Sequence, residues 1–213
     1  MPRPQGGNGL SARRMVVVWT FRASHCVATC AVHSCATRCS ISPLLYPQLL
    51  VTKAMTSRDT VGLTTEQLND QVAAFGWLKA REYVNSNRIA AAGNSFGGIQ
   101  SILGAAKLPY CAAVAASAAS ETWRDSPEIQ QALKSAVRQS NVPMFLFQAQ
   151  NDFDLSPNKT LVEEMQSVGK SAELKVYPAF GTSAKEGHSF AYLGSETWFP
   201  NVLAFLAWIF HKL

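Results

Sequence analysis

The chain of 213 residues is long enough for one domain with a sizeable core. With 47% apolar and 15% charged residues it is not a largely disordered protein. The net charge of +5 belongs wholly to the first 58 residues, which hold seven basic residues and no acid; the rest carries twelve basic against fourteen acidic residues. That distribution leaves no basic stripe on the folded part and argues against a nucleic-acid partner.

In chain order, Met15–Phe21 (MVVVWTF) is an apolar run that reads as a strand. Cys26, Cys30, Cys35 and Cys39 follow within fourteen residues, together with His25 and His33. Their C-x3-C-x4-C-x3-C spacing does not match the paired-ligand spacing of zinc sites, so no metal is expected. The Arg- and Ser-rich, acid-poor start has the composition of a transit peptide. Arg13-Arg14 before MVVVW resembles an export signal, but Trp19, Arg22 and His25 interrupt its apolar core; without such a signal the compartment would be the cytoplasm. No run reaches the roughly 18 apolar residues of a membrane span. Charge and cysteine usage thus divide the chain into an atypical basic segment, residues 1–60, expected to be poorly ordered, and a folded domain, residues 61–213.

From Thr64 onward helix and strand signals alternate. Thr64-x-x-Gln67 is a capping box, and Leu68, Val72, Phe75 and Leu78 follow at helical spacing, predicting a helix to about Val84 with Asn85-Ser86-Asn87 as the turn. Arg88–Ala92 is a short buried strand ending at Gly93, and Phe96 to about Ala106 a packed helix. The alanine-rich run Tyr110–Ala119 is open to either state. Ser126-Pro127 starts a helix with Ile129, Leu133, Ala136 and Val137 as its apolar face. Pro143–Ala149 is a strand, and Ser156-Pro157 starts a helix with Leu161, Met165 and Val168 inward and Gly169 as its stop. Leu174 and Val176 alternate with Glu173 and Lys175 as in a half-exposed strand, and Thr197–His211 closes the chain as a helix. Strands alternating with helices predict an α/β fold with a mostly parallel sheet.

Chemistry concentrates at Gly93-Asn94-Ser95-Phe96-Gly97. Between a strand and a helix this Gly-x-Ser-x-Gly pattern forms an elbow that lifts a serine hydroxyl above the sheet, with Gly93 and Gly97 needed where side chains would collide. The helix start offers the Phe96 amide as a donor to an oxyanion. A serine hydroxyl is a poor nucleophile near neutral pH; it needs a base, and the base needs an orienting acid. Asp152 stands directly after the strand ending at Ala149, and His188 on the loop before the last helix, giving the order Ser, Asp, His. Asp154 competes for the role of acid, with Asp152 then capping the following helix; adjacency to the strand favours Asp152. His25 and His33 precede Ser95 and break the order, and His211 sits at a helix end, where a cation is favourable anyway.

On RIAAAGNSFGG, VPMFLFQAQNDFDLSP and EGHSFAYLGSETWFPNVLAFL, residues 64–213 resemble the C-terminal part of an α/β-hydrolase, closest to dienelactone-hydrolase and prolyl-oligopeptidase-like serine esterases. The resemblance implies a triad of Ser95, Asp152 and His188, hydrolysis of a small carboxylic ester or amide, and no metal or organic cofactor. Dienelactone hydrolases carry a cysteine at the elbow, so Ser95 points toward esterase or peptidase-like acyl transfer. The family has further strands before the first helix and a His-Gly type loop supplying a second oxyanion donor; no His-Gly pair precedes Ser95 here. The expected fold is therefore an α/β-hydrolase-like sheet whose N-terminal half is truncated or replaced. An elbow strand left at the sheet edge would favour self-association. The rival reading is a catalytically silent hydrolase-like domain.

Overall fold

A computed structural model of the chain describes the backbone of residues 14–20 and 57–212 and the side chains of residues 67–212. In chain order the elements are β1 (Arg14–Thr20), α1 (Ser57–Lys79), β2 (Val84–Asn94), α2 (Phe96–Ala105), β3 (Ala112–Ala116), α3 (Pro127–Gln139), β4 (Met144–Ala149), α4 (Ser156–Ser167), β5 (Ala172–Tyr177), the short α5 (Ala184–His188) and α6 (Phe190–Leu193), and α7 (Ser195–His211). The five strands lie in the order β1-β2-β3-β4-β5, and every neighbouring pair is parallel. The expected mostly parallel α/β sheet is what the chain forms.

Successive side chains of a strand point to opposite faces, and the core divides accordingly. Ile89, Ala91, Ala113, Ala115, Met144 and Leu146 pack with buried residues of α1, α2, α3 and α4. Ala90, Ala92, Val114, Phe145, Phe147 and Tyr177 pack on the other face with Phe190, Trp198, Val202, Phe205 and Ile209 of α6 and α7. A parallel sheet built steadily in one direction, with connections of a single hand, keeps its crossover helices on one face. The chain then turns after β5 to cover the other face. On the first face α2 sits close against the sheet: a Cβ on Gly98 would lie 2.9 Å from the Ala116 carbonyl oxygen and 3.0 Å from Ala118 Cβ.

Several local expectations are corrected. The helix α1 already runs at Thr64, so the capping box does not start it, and it stops at Lys79 rather than Val84. Its inward polar residue is Gln71, whose amide donates to the Gln100 carbonyl at 3.0 Å, while Val72 is exposed. Asn85-Ser86-Asn87 is not a turn between elements but lies inside β2. There the register jumps: Arg14 pairs Val84 but Val16 pairs Ile89, so β2 carries extra residues as a bulge, within which the Asn87 amide donates to Asn85 Oδ1 at 3.0 Å. The turn-prone residues bend a strand instead of ending it. The alanine-rich run resolves as β3 because it is paired on both sides and buried on both faces. Ser156 is the first residue of α4 and Leu155 its N-cap, while Val168 is exposed and Gly169, at φ 73°, follows the helix as its stop. The four clustered cysteines lie outside the described residues.

Candidate active site

Four strands end at one sheet edge, and each is followed by a residue of the site: Ser95 after β2, Ser120 after β3, Asp152 after β4 and His188 after β5. Parallel α/β sheets open their sites at this edge because the loops diverge there.

Ser95 is the single residue between β2 and α2, buried, with φ 56° and ψ −119°. A non-glycine residue rarely takes positive φ, and it does so here because both flanking elements are clamped. The Ser95 amide donates to the Ala116 carbonyl of β3 at 2.9 Å, and the Ser95 carbonyl accepts the Ile99 amide at 3.1 Å. Phe96 opens α2, so its amide lies at the helix N-terminus, and the expected flanking glycines Gly93 and Gly97 are buried in β2 and α2.

Asp152 and His188 meet: the ring Nδ1 lies 2.9 Å from Asp152 Oδ1. A carboxylate there requires the proton on Nδ1 in the neutral ring and leaves Nε2 as the base nitrogen. The same Oδ1 accepts the Phe153 amide at 2.8 Å and the Ser120 hydroxyl at 2.8 Å. Burial alone would raise the Asp152 pKa; the hydrogen bond and charge of His188 and the hydroxyls of Ser117 and Ser120 outweigh it and hold the carboxyl below its ordinary value. His188 Nε2 is buried and makes no hydrogen bond, so the structure joins Asp152 to His188 but does not join His188 to Ser95 by one. Catalytic hydrogen bonds are often long before substrate arrives and tighten only with it. Phe153, exposed, meets the His188 ring edge-on at 5.4 Å and gives the site an apolar rim.

Asp154, the competing acid, is engaged elsewhere. It accepts the Ser156 amide at 2.9 Å at the start of α4 and pairs with Arg124 Nε at 3.0 Å. His188 stands at the end of the short helix α5 rather than in an open loop. Two features that the sequence did not single out hold it there. Asn151 accepts the Phe180 amide at 2.8 Å and donates to the carbonyls of Phe180 at 3.0 Å and Ser183 at 2.9 Å, tying the acid's loop to the histidine's. Gly187 lets the two touch, since a Cβ there would lie 2.7 Å from the Asn151 carbonyl. The only signal for either was adjacency to Asp152 and His188. Ser120 stands directly after the ambiguous alanine-rich run Tyr110–Ala119 and was not singled out.

A parallel sheet with helices on both faces, an elbow after one strand and an acid–histidine pair after later ones is the α/β-hydrolase architecture. The match of residues 50–201 to the model of the dienelactone hydrolase family covers more than half of the chain, and the chain belongs to that family. No curated protein matches it. Among solved structures it is similar to a Pyrococcus furiosus esterase (21% identity, TM-score 0.53, 70% of this chain and 62% of that one). It is also similar to esterase PE8 (18% identity, TM-score 0.55, 75% and 68%) and to Porphyromonas gingivalis dipeptidyl peptidase 4 (16% identity, TM-score 0.54, 71% and 23%). At these identities the likeness is one of fold. The chain spans 62% of the Pyrococcus esterase and 23% of the peptidase. Among the described residues no helix is long and apolar enough to cross a membrane.

Proposed function

We propose that the chain is a serine hydrolase that cleaves a small carboxylic ester or amide through Ser95, His188 and Asp152. The observation that carries this reading is the hydrogen-bonded Asp152–His188 pair at the same sheet edge as the strained Ser95 elbow. Ser95 Oγ attacks the substrate carbonyl carbon as its proton passes to His188 Nε2. The carbonyl oxygen becomes an oxyanion facing the Phe96 amide, and Asp152 stabilises the imidazolium. His188 then protonates the departing alkoxide or amine, leaving an acyl group on Ser95. Water, deprotonated by the same nitrogen, releases the acid and restores the hydroxyl. These side chains complete every step, so the reading assigns no cofactor.

An active-site-directed organophosphonate tests it. The full chain should be labelled at Ser95, and Ser95→Ala should abolish labelling. A folded protein inert to the reagent would favour the rival reading, a silent hydrolase-like domain. His188 Nε2, which makes no hydrogen bond, speaks for that rival.

A further inference from the structure

We infer that Ser120 is a positioning residue for the acid–base pair, which deepens the hydrolase reading and rests on it. Its hydroxyl reaches both partners at once: it donates to Asp152 Oδ1 at 2.8 Å, and its oxygen lies 3.0 Å from His188 Nδ1. With the ring proton on Nδ1, that proton is shared between the carboxylate and the Ser120 oxygen. The hydroxyl thus closes a three-membered ring of hydrogen bonds that fixes the carboxylate rotamer and the plane of the imidazole together. The Phe153 amide also holds this oxygen, at 2.8 Å, but Ser120 is the donor that touches the ring as well, so it ties the carboxylate and the imidazole to each other.

The backbone that delivers Ser120 is unusual. Ser117 and Ala119 both have positive φ, at 49° and 59°, and with Ser95 they are the only described non-glycine residues that do. Backbone of this kind persists only where its surroundings over-determine it. Here the Ser117 amide donates to the Phe147 carbonyl of β4 at 2.9 Å, the Ser120 amide to the Ser117 carbonyl at 3.3 Å, and the amide of the buried Trp123 to the Ala119 carbonyl at 2.8 Å. The chain thus leaves β3 through two strained residues and brings Ser120, a residue 4% exposed, within hydrogen-bond reach of both members of the acid–histidine pair.

The test is the rate at which the organophosphonate labels Ser95 in the full chain. Losing a hydrogen bond to a charged group should slow labelling about ten-fold in Ser120→Ala. Ser120→Cys, which keeps the size but has only a weak donor, should slow it similarly and carries the test if the alanine variant melts early. Ser120→Thr, which keeps the hydroxyl, should recover most of the rate. The deciding readout is a double-mutant cycle. If Ser120 acts through Asp152, Ser120→Ala should cost less than about two-fold in the Asp152→Asn background. An equal loss in both backgrounds, or wild-type labelling in both the Ala and Cys variants, overturns the inference and leaves the hydrolase reading intact. A wild-type chain that is folded but unlabelled overturns both.

Discussion

At the scale of single residues, the two carboxylates after β4 show how neighbours assign roles that spacing leaves open. Asp152 and Asp154 both follow the strand and both are buried. One faces an imidazole and the other a helix start and Arg124. Both carboxyls are held below their ordinary pKa against the opposing pull of burial: Asp152 chiefly by the His188 hydrogen bond, Asp154 chiefly by the Ser156 amide. Asp152→Asn should therefore present the ring with the wrong tautomer and lower kcat by up to about 10⁴-fold. Asp154→Asn should leave kcat nearly unchanged and lower the melting temperature only slightly, since an amide oxygen can still accept the Ser156 amide and what is lost is the pair with the exposed Arg124, worth about 0–1 kcal/mol. Steady-state kinetics and thermal melts on both variants separate the roles, and the reverse ranking would make Asp154 the acid.

At the scale of elements, the placement of His188 depends on a five-residue helix too short to be stable alone. Its start is a full capping box: the Ser183 hydroxyl accepts the Glu186 amide, and Glu186 Oε2 accepts the amides of Thr182 and Ser183 at 2.9 Å each. The Thr182 amide first, then the Ser183 hydroxyl and amide, hold the Glu186 pKa at about 2 against an ordinary 4.5. A depressed folded-state pKa means that this contribution is fully present above about 4.5 and is lost as the pH falls toward about 2. Glu186→Ala should accordingly lower the melting temperature at pH 7, with the gap to wild type narrowing as the pH drops below about 4.5. A gap that stays constant down to pH 3 would show that the charge does not hold the turn. Gly181, at φ 69°, makes the same turn possible, because a Cβ there would lie 2.6 Å from Glu186 Cβ.

At the scale of the whole molecule, β1 covers the edge of β2, pairing Val16–Thr20 with Ile89–Gly93. That is the strand carrying the elbow, so the pairing also stiffens the base from which Ser95 projects. We expect removal of residues 1–20 to bare the backbone of β2 and turn the protein toward concentration-dependent self-association, read as a rising mass in light scattering. An unchanged mass and melting temperature would mean that this pairing neither shields the edge nor supports the sheet. The division at residue 60 stands as our proposal for where the basic segment meets the hydrolase-like domain; the helix α1 begins at Ser57.

Of the elements after β2, α2, α3, β4, α4, β5 and α7 were legible because their signals are local: proline after serine at two helix starts, glycine after a helix, and apolar runs long enough to be buried on both faces. The places of Ser95 after β2, Asp152 after β4 and His188 before the last helix were legible for a related reason, since each stands next to an element. What needed the tertiary structure was everything set by partners distant in sequence. Asn85–Asn87 form a bulge because β1 pairs across them, and the run at Ala112–Ala116 is a strand because it has neighbours on both sides. The Asp152–His188 hydrogen bond spans 36 residues, and the bonds from Ser120 to these two residues span 32 and 68. No local pattern encodes such a contact: it exists only once four parallel strands have brought their ends to one edge.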